Sequence, residues 1–283
     1  DRLLIGTDGQ GLKTYNRMTG KIEDYSINSA PLDFSEGKIH AIMEDRDKNL
    51  WVGLFQKGIV LMPKQENPFE YYGNRSIYYN PIGQGCVMSI YQDSNRHLWV
   101  GADNEGIFEL DAEGKRLRHY QPGNNPRSMA NTIMCMYEDT NGDFWLGTYT
   151  RGLAKLNRRT GECEYPLPVD NEKIFSITED RHKNLYIATF GSGFYRYNLV
   201  TRELKHYESS KDESGDLTRN ELANDWVNYI FCDSEGMIWL GHYKGISCFN
   251  PVNESFINYR NVNTLIEDRV GYVLQEDHAG NIW

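Results

Sequence analysis

Short segments of alternating apolar and polar residues recur along the chain, each closed by an acidic residue: IHAIMED, CVMSIYQD, IMCMYED, IFSITED, VNYIFCD and GYVLQED. Period two is the signature of a half-buried β-strand. A polar turn follows, then a second strand around an aromatic anchor, as in LWVG. A Gly-bracketed loop leads to a third strand, such as GIVLM, GIFEL or GLAKL, and a fourth ends on Tyr, as in FEYY and LRHY. No long segment carries apolar residues at helical spacing.

The unit repeats. Its anchors are Leu4, Trp51, Trp99, Trp145, Tyr186, Trp239 and Trp283, 41 to 53 residues apart. An Asp stands six residues before each anchor from Trp51 on: Asp45, Asp93, Asp139, Asp180, Asp233 and Asp277. A small residue, such as Gly53, Gly101, Gly147 or Ala188, stands two residues after. Four short strands, here called A to D, per ~40–50 residues predict an all-β chain, a β-propeller of four-stranded antiparallel blades. One such sheet cannot bury both faces alone, whereas stacked sheets cover one another. The chain holds six blade equivalents within residues 1–283, read as one propeller domain. Six blades closing on themselves and a seven-bladed ring both fit. The chain opens and stops inside a repeat, so it reads as a fragment of something longer.

The recurring Asp suits an Asx turn, its carboxylate accepting backbone N–H bonds in the A–B hairpin. DRDKN and DTNGD also space oxygen ligands as calcium loops do, but no Glu follows to close such a site, and no metal is expected. The anchors and the strand-D Tyr residues keep a fixed register in every unit, which points to packing between sheets. The small residue after the anchor lets sheets approach closely.

Function is expected where the repeat varies. In an up-and-down blade the B–C loops and the D-to-A connections share one end. The B–C loops carry Asp8, Phe55, Asp103, Tyr149, Phe190 and Tyr243 at one position, with Lys57, Arg151 and Lys244 beside them. The longest insertions fall at the same end, and Trp226 follows the longest of them. Aromatics interleaved with Lys, Arg and Asp suit a sugar, whose C–H faces stack on rings and whose hydroxyls bond polar groups. They also suit a protein partner. These ten residues are the candidate ligand-binding set.

Composition narrows the classes. A formal net charge of −10 and a pI near 5.2 argue against nucleic-acid binding. They also make a highly sulfated ligand less natural. No apolar run approaches the ~18 residues of a membrane span. The five cysteines form no CxxC pair and mostly fall in strands, as small buried hydrophobes do. There is no GxSxG, HExxH or phosphate-binding loop. No catalytic residue and no cofactor are expected, although a propeller lyase or hydrolase stays open beside a protein-docking module.

SITEDRHKNLYIATFGSGFYRYN, MYEDTNGDFWLGTYTRGLAKLNRRTG and QPGNNPRSMANTIMCMYED resemble the two-component regulator propeller repeat, over essentially the whole chain. Departures are Leu4 and Tyr186 for Trp, Ala188 for Gly, and the shortened HYKG loop. The resemblance implies the periplasmic sensor region of a Bacteroidetes-type hybrid two-component system. It implies an oligosaccharide ligand, further propeller and β-sandwich domains, a histidine kinase outside this chain, and a homodimer.

Overall fold

The structure is a computed structural model that describes residues 2–25, 37–46, 48–56, 58–62, 80–169, 172–210, 220–259 and 274–283. These residues group into two compact units, Asp1–Asn80 and Pro81–Trp283. Their regular structure is entirely β-strand.

The first unit begins with β1 (Arg2–Gly6), β2 (Leu12–Asn16) and β3 (Ile22–Asp24), a sheet in that order that matches the expected B, C and D strands. β4 (Ile39–Glu44), β5 (Leu50–Leu54) and β6 (Gly58–Met62) form the second sheet. Its expected fourth strand, at FEYY, lies outside the described residues. Leu12, Ile39, Val52, Leu54 and Val60 form the core between the two sheets.

The second unit holds four complete four-stranded sheets. They are β7 (Val87–Gln92), β8 (Leu98–Ala102), β9 (Gly106–Leu110) and β10 (Arg116–Tyr120); then β11 (Ile133–Glu138), β12 (Phe144–Thr148), β13 (Leu153–Leu156) and β14 (Cys163–Glu164). β15 (Ile174–Glu179), β16 (Asn184–Thr189), β17 (Phe194–Asn198) and β18 (Leu204–Tyr207) follow, and then β19 (Val227–Cys232), β20 (Ile238–His242), β21 (Gly245–Asn250) and β22 (Ser255–Tyr259). Every pairing is antiparallel and sequential, and the A strands β7, β11, β15 and β19 neighbour one another in turn. This is the predicted blade. The first three residues of the A strand at GYVLQED lie outside the described residues.

The fixed residues do what their register implies. Trp99 and Tyr186 are fully buried, and Trp145 nearly so. Trp99 stacks on Tyr120 of its own sheet at 5.6 Å and meets Phe144 of the next at 4.6 Å. A Cβ at Gly147 would sit 2.9 Å from the Ile174 carbonyl oxygen of the following sheet, so the small residue marks a close approach. Hydroxyls stitch the A strands together: Ser89 Oγ donates to Ile133 O at 2.9 Å and Ser176 Oγ to Ile230 O at 3.3 Å.

The recurring Asp ties each A–B turn. Asp139 accepts the N–H groups of Asn141 and Asp143 at 2.9 and 3.0 Å and the Trp145 indole N–H at 2.7 Å. Asp93, Asp180 and Asp233 repeat this on their own turns and anchors, Tyr186 giving its hydroxyl at 2.9 Å in place of an indole. These carboxylates are filled by N–H and O–H donors, which is the Asx-turn reading and leaves a cation no lone pairs of the required number.

The Glu one residue earlier has a task of its own: it caps the turn of the sheet before. Glu138 accepts Ser94 N–H at 2.7 Å, Glu179 accepts Thr140 N–H at 2.8 Å, and Glu276 accepts Ser234 N–H at 2.9 Å. Arg158 adds a brace, donating to Glu138 at 2.6 Å and to Asp93 at 3.3 Å. Burial opposes ionisation of Glu138, but the Ser94 N–H and Arg158 prevail and hold its carboxyl below the usual range.

Candidate functional site

At the other end of each sheet the A strand opens with a β-bulge. The register shifts between Ile39 and Ala41, Val87 and Ser89, Ile133 and Cys135, Ile174 and Ser176, and Val227 and Tyr229. The extra residue is His40, Met88, Met134, Phe175 or Asn228. A bulge re-aims its side chain and locally ends regular pairing. Two residues earlier lies a lead position, held by Lys38, Cys86, Thr132, Lys173 and Trp226. The tip of the B–C loop, fifteen residues after the bulge, is the variable position found in the sequence. In four sheets the tip N–H donates to the carbonyl of the lead residue: Phe55 to Lys38, Asp103 to Cys86, Tyr149 to Thr132 and Phe190 to Lys173, at 2.8 to 3.1 Å. The backbone is constant, and three side chains per sheet are free to differ.

Lead residues also meet the tip of the sheet before. Lys38 pairs with the Asp8 carboxylate at 3.0 Å. Thr132 donates its hydroxyl to Asp103 at 2.6 Å. The Lys173 ammonium stands 5.0 Å from the Tyr149 ring centre. Trp226 meets Phe190 edge-on at 4.6 Å. The contact changes from ion pair, to hydroxyl–carboxylate, to cation–π, to aromatic pair, while the geometry stays.

In the second unit these positions merge into one aromatic patch. Phe175 stacks beneath Phe190 at 4.7 Å, and Tyr243 meets Phe190 at 5.9 Å and Trp226 at 5.7 Å. Tyr149, Trp226 and Tyr243 are 41 to 47% exposed, a large apolar area for three neighbouring sheets to leave in water. Trp226 is held in place: Asp225 O accepts the Gly191 and Gly193 N–H groups at 3.0 and 2.9 Å, and Trp226 N donates to Asn224 Oδ1 at 3.1 Å.

The Tyr243 loop is pinned from below. Lys244 N donates to His242 Nδ1 at 3.1 Å, Nε2 bonds Ser247 Oγ at 2.8 Å, and Ser247 Oγ donates to Asn258 Oδ1 at 2.5 Å. Asn258 Nδ2 then donates to Glu221 O at 3.1 Å. His242 is buried, and burial together with Lys244 lowers its pKa to about 4, so the ring is neutral with Nδ1 as acceptor. The relay joins the tip loop to the segment that leads into Trp226.

Of the predicted residues, Tyr149, Phe190, Trp226, Tyr243 and Lys244 lie on or beside this patch. Asp103 is spent on Thr132. Arg151 serves the scaffold: its guanidinium donates to Asn125 O, Pro126 O and Ser128 O at 3.4, 2.9 and 2.9 Å and lies over Tyr165 at 4.3 Å, clamping the 125–128 loop. Asp8 and Phe55 belong to the first unit, where Phe55 packs on His40 at 4.7 Å. Lys57 lies outside the described residues. Lys173, Phe175 and Asn228 went unnoticed in the sequence, although their fixed separation from the tips marks them.

No catalytic constellation forms among the described residues. The His119 and His206 Nε2 atoms bond the carbonyls of Glu105 and Ser192, each at 2.7 Å. The thiols of Cys135, Cys163, Cys232 and Cys248 are pushed up to about 12, 11, 11 and 11 by burial, which disfavours the reactive thiolate. Cys86 is exposed, unlike the small buried hydrophobe expected of most cysteines. No helix among these residues is long and apolar enough to cross a membrane.

Comparison with known proteins agrees with the blade. The two component regulator propeller family matches residues 33–56, 81–104 and 128–150, each running from an A strand into a B–C loop. No curated protein matches the chain. Among solved structures, an extracellular domain assigned to a hybrid two component system of B. thetaiotaomicron superposes over 100% of the chain with a TM-score of 0.68 and 21% identity. One assigned to a one component system of the same organism does so with a TM-score of 0.60 and 22% identity. The chain spans 36% and 39% of those two proteins. A streptogramin B lyase shares the fold more distantly, at TM-score 0.52 and 14% identity over 100% of this chain and 86% of its own. The chain has the blades of a β-propeller, and three of its segments match the two component regulator propeller repeat.

Proposed function

We propose that the chain is the non-catalytic, periplasmic ligand-sensing part of a two-component regulatory protein and that its ligand is an oligosaccharide. The observation that carries this reading is the exposed aromatic patch of Phe190, Trp226 and Tyr243, held rigid by Asp225 and by the His242 relay. Rings fixed in place and left in water stack on sugar C–H faces at low entropic cost. The extracellular domains with the same fold support the sensor role. Against catalysis stand the histidines of the second unit near the loop end, whose bonded ring nitrogens are committed to structure. The signal would pass to a histidine kinase outside this chain, through further propeller and β-sandwich domains and a homodimer. The ligand would act by favouring one arrangement of the assembly over another.

Calorimetric titration of the whole protein with a panel of oligosaccharides tests this. One or more glycans should bind, and Trp226→Ala should weaken that binding about tenfold or more, since stacking on an aromatic face contributes on the order of 1–2 kcal/mol. If no glycan binds, the reading fails. If a glycan binds and Trp226→Ala leaves its affinity unchanged, the patch is not the site.

A further inference from the structure

We infer that the sugar recognised at this patch is acidic and carries a carboxylate, as a uronic acid does; the inference rests on the glycan reading above. It comes from which charges at this end are already committed. Asp103 accepts the Thr132 hydroxyl, Asp225 accepts Ser209 N–H at 2.6 Å, and Glu172 is hydrogen-bonded to Tyr195. The lysines beside the rings are not committed in this way. Neither the Lys173 nor the Lys244 ammonium has a carboxylate or hydrogen-bond partner among the described residues, although the protein carries a net charge of −10.

The contrast within the repeat is direct. Lys38 occupies the same lead position as Lys173, and there the preceding tip is Asp8, whose carboxylate takes the ammonium. At Lys173 the preceding tip is Tyr149, which offers a ring face and leaves the ammonium's other donors open. Elsewhere in the second unit Lys155 pairs with Asp143, Lys205 with Glu254, and Lys183 bonds Thr140 and Asn141. Lys115 also has no side-chain partner among the described residues, but it lies in the turn between β9 and β10, at the opposite end of its sheet. Lys173 and Lys244 thus bracket the rings in sequence and position, each directly beside a patch residue: Lys173 O accepts Phe190 N–H, and Lys244 follows Tyr243. An aromatic platform with free ammonium groups at its rim is complementary to a ring that carries a carboxylate at its edge.

The test compares three probes on the whole protein by calorimetry: an oligogalacturonate, the same oligomer with its carboxylates methyl-esterified, and a sulfated neutral oligosaccharide. The acid should bind at least tenfold more tightly than its ester, and more weakly as salt is raised. Lys173→Met and Lys244→Met should each cost the acid about threefold to tenfold in affinity and leave the ester unchanged, while Lys115→Met changes neither. Melting temperature reports whether each variant folds. Equal binding of acid and ester, or binding of neutral glycans alone, overturns the inference and leaves the glycan reading standing. Preference for the sulfated probe overturns the carboxylate assignment. Failure of every probe and of the neutral panel removes both readings.

Discussion

The two ends of each sheet are built from the same repeat and held by opposite means. At the turn end the side chains close the structure: Asp139 takes two backbone N–H groups and an indole, and Glu138 takes the turn of the neighbour. The N–H and indole donors around Asp139 each have a fixed acceptor there, so removing that carboxylate leaves donors unsatisfied. At the loop end the backbone closes the structure. The bond from tip N–H to lead carbonyl recurs while the side chains around it change from ion pair to aromatic pair. Invariance follows where side chains are structural, and freedom follows where the backbone suffices.

The comparison breaks first at Asp139. Asp139→Ala orphans three donors at a nearly buried site and should cost about 3–4 kcal/mol, read as a lower urea midpoint. A loss under about 1 kcal/mol would mean the turn end is not held by this carboxylate. His242 comes next, through pH. Its folded pKa lies near 4, below the ordinary value, so between pH 6.5 and 4 the unfolded chain binds a proton that the folded chain refuses. Stability should therefore fall as pH drops through that window, by on the order of 3 kcal/mol from this group. His242→Phe should remove that part of the pH dependence; an unchanged profile would show the ring is not buried neutral.

Arg151 and Tyr149 sharpen the comparison within one loop. Arg151→Ala loses the clamp on the 125–128 carbonyls and should cost about 2 kcal/mol of stability with little effect on glycan affinity. Tyr149→Ala should do the reverse. Swapped outcomes would reverse the assignment of scaffold and site. The smallest effect is expected at Asn228, whose buried Nδ2 has no partner among the described residues. The equivalent bulges carry Met88 and Met134. Asn228→Met should be neutral or stabilise by up to about 1 kcal/mol; clear destabilisation would show that this amide is satisfied in solution.

The blade was legible because period two, the anchor and the Asp are local signals within a few residues of one another. The aromatic tips were legible as departures inside a fixed frame. The rest depends on contacts between sheets. Lys173 meets Tyr149 across a sheet boundary, and the bulge that places Phe175 under Phe190 breaks the alternation that exposes a strand in sequence. Arg151 looked like a ligand-seeking cation because its partners are backbone carbonyls, which no side-chain pattern announces. Glu138 and Glu179 sat in plain view before each Asp, but their role needs the preceding sheet in place.

That Glu gives assembly a direction. The turns at Ser94, Thr140 and Ser234 find their last acceptor only when Glu138, Glu179 and Glu276 are in place, so as the chain emerges from the ribosome these blades are completed by the chain that follows them. Two positions depart from the rule, Gln92 before Asp93 and Cys232 before Asp233. Cys232 stands where the Glu would be, its sulfur turned toward Asp233 O at 3.6 Å, and among the described residues the turn at Arg181 has no carboxylate from the following sheet. This seam lies between the sheets that supply Phe190 and Tyr243, and Glu254 fastens it instead, pairing with Arg196 at 3.2 Å and accepting the Tyr207 hydroxyl at 3.0 Å. A ligand that bridges those two rings would add a link across the same seam from the loop end, and the binding event would be felt as a change in how firmly two blades are joined.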